Sequence, residues 1–163
     1  MVPPRETGQV IDMLHHVALA VADLDRSLAF YCDALGWTCV TRRALEADGY
    51  FVKAMGPACP SPAGADIAIL RLKSSTLELI QWANAPVNTD GAHLCLLVHN
   101  LDYSLTELSR HDITPVTECQ TITHGPNQGG RIAWIRDPDG HRIELMELTG
   151  QRRQERGLGD QAG

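Results

Sequence analysis

The run RIAWIRDPDGHRIELMEL at residues 131–148 decides how this chain is read. Its centre, DPDG at 137–140, is a reversal: proline fixes φ, aspartate bonds back onto the backbone, and glycine accepts a positive φ. Residues 132–135 and 143–148 have strand character. In the second segment Ile143 and Leu145 point to one face, and Glu144 and Met146 to the other. A carboxylate among apolar neighbours on a buried strand is costly unless it is paired, protonated or bound to a metal. Taken alone, Glu144 reads equally well as an edge or surface residue. The rest of the chain supplies its context.

Upstream of the hairpin lie a strand at 93–98, a helix at 101–110 and a strand at 114–118, and the same order occurs once before. MLHHVALAV at 13–21 reads as a strand, and DLDRSLAFYCDAL at 23–35 as a helix capped by Asp23 and stopped by Gly36. Strands follow at 37–42 and 50–54, then a hairpin at 67–72 and 76–82. The repetition is literal in places: LDRSL at 24–28 matches LDYSL at 101–105, and His16 matches His93, both 77 positions apart. TCVTR at 38–42 resembles TPVTE at 114–118, and TLELI at 76–80 resembles RIELM at 142–146. The shrinking offset marks the loop GPACPSPAGAD at 56–66 as an insertion in the first copy. Two β-α-β-β-β modules are the economical reading: an α+β fold with modules at 12–83 and 92–148, a linker at 84–91, and flexible tails at 1–11 and 149–163.

The repeat singles out four residues. Each copy places a histidine on its first strand and a glutamate on its last, His16 with Glu78 and His93 with Glu144, each opposite its strand's helix-side apolar set. If the modules' pseudo-symmetry brings them together, two imidazoles and two carboxylates form a nitrogen/oxygen set without thiolate. Such a set suits Ni²⁺, Co²⁺, Mn²⁺, Fe²⁺ or Zn²⁺ with positions open for substrate. The plainer alternative is satisfied core histidines and glutamates paired with arginines. His15 is the rival of His16, disfavoured by its face and by the offset. Trp82, Ile80, Cys95, Leu97 and Met146 share faces with the four and are candidate pocket or core residues. THGPNQGG at 123–130 is a candidate lid or an ordinary loop.

Composition narrows the partners. The chain of 163 residues carries 14 basic and 20 acidic residues, a net charge of −6, and has no basic stripe. Nucleic acid and anionic membranes are therefore poor partners. No apolar run approaches the roughly 20 residues of a membrane-spanning helix, and MVPPRETGQV lacks the pattern of a secretory leader. The five cysteines form no CxxC pair and read as reduced, buried thiols of a cytoplasmic protein.

The segments HHVALAVADLDRSLAFYCDALGW (15–37), LELIQW (77–82), AHLCLLVHNLD (92–102) and WIRDPDGHRIELME (134–147) resemble the vicinal oxygen chelate superfamily. That group includes lactoylglutathione lyase, methylmalonyl-CoA epimerase, extradiol dioxygenases and fosfomycin- or bleomycin-resistance proteins. The resemblance implies paired modules curling into an open, cup-shaped barrel around a divalent metal ion. In the lyase-like members His16, Glu78, His93 and Glu144 fall on the four metal positions. The expected partners are a small-molecule substrate and a second copy of the chain.

Departures from the subfamily patterns narrow the chemistry. The arginine and asparagine that lactoylglutathione lyases use for glutathione are here Ala20 and Trp82. The catalytic tyrosine of extradiol dioxygenases is here Trp134, and their ligand set lacks a carboxylate at the Glu78 position. Methylmalonyl-CoA epimerases commonly have an amide at that position and no DPDG turn. What remains is a metal-dependent isomerase or epimerase that moves a proton beside the carbonyl of a small oxygenated substrate, such as a polyol-like ketone. Glu144 and Glu78 are the candidate exchange groups, with Glu46 and Asp48 in reserve. A lactoylglutathione lyase, an extradiol-type dioxygenase and a non-catalytic drug-binding resistance protein are the alternatives.

Overall fold

A computed structural model describes residues 13–47, 49, 53, 59–89 and 92–158. The first module runs β1 (Val17–Ala20), α1 (Leu24–Leu28), β2 (Thr38–Leu45), β3 (Ala65–Leu72) and β4 (Ser75–Trp82). The second runs β5 (His93–Val98), α2 (Leu101–Ser109), β6 (Gln120–Thr121), β7 (Arg131–Arg136) and β8 (Arg142–Glu147), followed by α3 (Gly150–Glu155). Each module is one mixed four-stranded sheet, ordered β1-β4-β3-β2 and β5-β8-β7-β6. The two βαβββ modules inferred from the repeat are thus both present.

The repeated LDxSL segments start helices in the same way. Asp23 Oδ1 accepts from Arg26 N at 2.9 Å, and Asn100 Oδ1 from Tyr103 N at 2.8 Å. Each side chain satisfies a backbone donor that the first helical turn leaves open. Beyond α1 the first helix widens into a π-helix at Ala29–Ala34 and ends before Gly36, whose φ of +74° reverses the chain. Phe30 and Tyr31 are both buried in this turn.

Several sequence expectations are corrected. The first strand is shorter than 13–21, so His16 stands one residue before β1. No strand forms at 114–118; β6 lies at Gln120–Thr121 instead. Pro115 has no N–H for a ladder, although Val116 N still donates to Trp134 O at 2.7 Å. Residues 65 and 66, assigned to the loop, open β3. Beyond 148 the chain forms α3, capped by Thr149 Oγ1, which accepts from Arg152 N at 3.2 Å. The cysteines are all free, but none is buried. The expected strand at 50–54 and the arm at 1–11 fall outside the described residues, apart from Lys53.

The main core joins the modules. Leu24, Tyr31, Leu77 and Leu79 pack in one cluster with Leu101, Leu108, Ile135, Ile143 and Leu145. A polar clasp reinforces it from the DPDG turn. Asp137 Oδ2 accepts from the Tyr31 hydroxyl at 3.0 Å and lies 2.8 Å from His141 Nδ1. Asp137 Oδ1 accepts the backbone N–H groups of Asp139 and His141 at 3.0 and 2.8 Å. Asp139 in turn accepts from Arg26 at 2.7 Å and from Ala22 N at 3.2 Å. Burial pushes Asp137 up, but the hydrogen bonds and charge of His141 and the Tyr31 hydroxyl outweigh it and leave the carboxyl below its ordinary range.

A second apolar cluster covers the opposite face of the first sheet. Leu45, Ala65, Ile67, Ile80 and Trp82 form it, with Ala20, Cys59 and Ala85 against them.

Candidate metal centre

Parallel pairing of the first and last strands of each module sets a histidine beside a glutamate, twice. In register, Ala18 faces Glu78 and Cys95 faces Glu144. The histidines lie two residues earlier and so project to the same side. His16 Nε2 is 3.5 Å from Glu78 Oε2, and His93 Nε2 is 3.4 Å from Glu144 Oε2. The carboxylate side chains are only 10% and 13% exposed. Among the described residues each finds its ion-pairing partner in its histidine.

These distances bear on metal binding. A charge-assisted N–H···O bond closes to about 2.7–2.9 Å, and both pairs are longer. Two donors that each sit about 2.1 Å from one ion stand roughly 3–3.5 Å apart. The half-buried imidazoles leave a direction of approach. The residues therefore fit a divalent ion, two ligands to a module.

The four do not gather at one point within the chain. Among the described residues no group of three or more His, Cys, Asp or Glu side chains is arranged to hold a metal ion. Each module builds one His–Glu pair, and the pairs lie on separate sheets. A cavity of about 170 Å³ opens between β1 and β5, and His93 and His141 are among the residues lining it.

The half-sites differ in their surroundings. His15 Nδ1 is 2.8 Å from His16 Nδ1, so the residue read as a rival steadies the ring instead. His93 packs against Trp134, with ring centroids 5.0 Å apart and the planes at 69°. Burial, and then the charge of Glu144, pushes the Cys95 thiol up to about 11, which keeps its proton available to that carboxylate. Of the residues sharing faces with the ligands, Ile80 and Trp82 are sealed in the second apolar cluster, whereas Leu97 is 42% exposed. Met146 accepts from Asn127 Nδ2 at 3.5 Å, which brings the 123–130 loop to the Glu144 face. That loop is tied across its base by Ile122 N to Gly130 O at 2.8 Å. Glu46 is exposed, and Asp48 lies outside the described residues. Sequence reasoning missed Tyr31, Asp137 and His141 as a unit, because 106 residues separate the first two.

Two four-stranded βαβββ sheets, each with a His–Glu pair joining its first and last strands, define the class to which the protein belongs. The chain is a member of the Glyoxalase/Bleomycin resistance protein/Dioxygenase superfamily, whose sequence profile matches residues 13–145. It is 31% identical over 145 residues to a 2-epi-5-epi-valiolone epimerase from Actinomyces, covering 83% of this chain and 79% of that protein. It is 29% identical over 136 residues to a lactoylglutathione lyase from Salmonella typhimurium, covering 82% and 91%. Among solved structures, a glyoxalase family protein from Bacillus cereus superposes with a TM-score of 0.68 at 20% identity, covering 90% of this chain and all of that one. That likeness bears on the fold alone. No helix among the described residues is long and apolar enough to cross a membrane.

Proposed function

We propose that the protein is a metal-dependent isomerase or epimerase that transfers a proton at the carbon beside a carbonyl in a small, polyol-like ketone. The observation that carries this reading is the pair of His–Glu half-sites at repeat-related positions, 3.5 and 3.4 Å across. The similarity to an epimerase supports the reaction class. His16, Glu78, His93 and Glu144 would hold the ion, with a homodimer bringing the first-module half-site of one protomer to the second-module half-site of its partner. A divalent ion in such a set supplies Lewis acidity to the carbonyl and offsets the negative charge that develops on its oxygen. Glu78 and Glu144 are the proton-exchange groups. One carboxylate takes the α-proton, the electron pair delocalises into the carbonyl, and either carboxylate returns a proton to the other face or the neighbouring carbon.

Similarity to a lactoylglutathione lyase supports a second reading, and Trp82 weighs against it. Trp82 stands where the resemblance puts the lyases' glutathione-binding asparagine, and it is 8% exposed inside an apolar cluster.

The test is metal analysis of protein purified without chelator, with mass measured in solution. The expected result is about one ion per four-residue set and a dimer. Less than a tenth of that, unchanged after incubation with Ni²⁺, Co²⁺, Mn²⁺ or Zn²⁺, would refute the metal reading.

A further inference from the structure

The two half-sites open onto unlike surroundings. On the first sheet, the face that carries Glu78 continues through Ile80 and Trp82 and is closed: Ile67 is 0% exposed and Trp82 8%. The chain returns to this face by way of the insertion found in the sequence. Cys59 packs in the apolar cluster, its Sγ lies 3.2 Å from Ser61 O, and Ser61 is itself buried. Gly64 pins the return, since its carbonyl accepts from Ala83 N at 3.1 Å and a Cβ there would meet Leu45 O at 2.3 Å. On the second sheet the matching face, with Cys95, Leu97, Trp134 and Met146, is more open among the described residues: the 123–130 loop reaches it at Met146, while Leu97 is 42% exposed and Trp134 is partly exposed.

Trp134 is the residue directly across the strand pair from Glu144. The position opposite Glu78 is Ile69. Of the two described cross-strand neighbours, Trp134 alone offers a flat aromatic surface next to its carboxylate. That ring is oriented by His93, whose own ring lies 5.0 Å away at an angle of 69°. An indole face carries negative quadrupole charge and prefers polarised C–H groups lying against it.

We propose that the substrate lies over the second module, with the C–H face of a compact ring stacked on Trp134 and its oxygens directed to the His–Glu pairs. This inference rests on the isomerase reading and adds the substrate class: a cyclic hydroxy-ketone, in preference to an open chain or a ketone carrying a long arm. The sealed first-module face leaves no room on that side for an arm.

The experiment compares two α-hydroxyketones that differ in the ring, 2-hydroxycyclohexanone and hydroxyacetone. Both are titrated calorimetrically into cobalt-loaded and metal-free protein. Wild type is expected to bind the ring probe roughly 10-fold more tightly. In Trp134→Ala and Trp134→Leu, compared with wild type at matched cobalt content, the preference should shrink to within about 2-fold. Trp82→Leu, on the sealed face, should leave the preference intact. A preference that survives both Trp134 variants, that disappears in Trp82→Leu, or that is absent in wild type would overturn the proposal. Failure to take up cobalt with the ring preference intact in metal-free protein would sink the metal reading and leave the platform standing. Cobalt uptake without any ring preference would do the reverse.

Discussion

Removing the Asp137 carboxylate should damage this fold more than any single exposed ion pair. In Asp137→Ala the Tyr31 hydroxyl, the His141 ring nitrogen and the His141 backbone N–H all lose their acceptor, and all three hydrogen bonds are buried. A buried donor left unpaired costs about 1–3 kcal/mol. Three of them, allowing for relaxation and shared partners, predict a loss of about 4 kcal/mol, a large part of the roughly 5–15 kcal/mol that holds a domain together. With a urea m-value of about 2 kcal/mol/M, the unfolding midpoint should fall by about 2 M. Tyr31→Phe removes one donor and keeps the ring, so it should cost about 1 kcal/mol. The double variant decides the reasoning. Once the hydroxyl is gone, Asp137→Ala orphans one group fewer, and the two effects should fall short of additive by about 1 kcal/mol. Strict additivity, or a single-variant loss below about 1 kcal/mol, would show that the clasp contributes no coupling between the modules.

The same clasp sets the pH limits of stability. Burial, with Asp137 nearby, raises the Tyr31 hydroxyl above its ordinary value of 10.0, so its contribution is complete below pH 10. It is lost as pH rises further, since the unfolded tyrosine ionises first; a denaturation series from pH 8 to 11 should show that loss in wild type and not in Tyr31→Phe. Asp137 is depressed below 3.8, so its contribution is present above that pH and fades as acid protonates the folded carboxyl. At Gly64, where φ is +95° and an added Cβ would meet Leu45 O at 2.3 Å, alanine should cost about 2–4 kcal/mol in thermal or urea unfolding. Gly125→Ala, at φ of +82° with nothing within 4 Å, should cost only about 1 kcal/mol; equal losses would contradict the close approach. Glu144→Gln in metal-loaded protein should lower turnover by about 10²–10⁴ and abolish deuterium uptake from D₂O into the ketone while sparing ligand binding. Unimpaired exchange in that variant would move the base to Glu78.

The internal repeat makes the modules legible in the sequence, because two copies of LDxSL and of the terminal xLEL-type strand carry their own register. It also pairs His16 with Glu78 and His93 with Glu144, and both pairs stand in the structure. What the repeat does not encode is how one module faces the other, so convergence of all four ligands cannot be read from it. The strand expected at 114–118 fails because TPVTE copies TCVTR in side chains but carries Pro115, which removes a ladder donor. The π-helical turn is hidden, since Leu24, Leu28, Tyr31 and Leu35 keep helical spacing whichever way the backbone closes. Asp137 is legible as a turn residue and not as a clasp, because its Tyr31 partner belongs to the other module. The face shared by Ile80, Trp82, Cys95, Leu97 and Met146 follows from alternation alone; which half of it is covered depends on the insertion.

The two carboxylates occupy equivalent strand positions but keep different company, Ala18 and Ile69 beside Glu78, Cys95 and Trp134 beside Glu144. A pair of carboxylates related by a true twofold axis would be equivalent, so neither could be told from the other as the group that takes the proton or the group that returns it. In a centre assembled from one of each, that equivalence is broken by the protein before any substrate arrives. The division of labour between the two carboxylates would then be written in the residues by which the modules differ, while the histidines and glutamates that they share carry none of it.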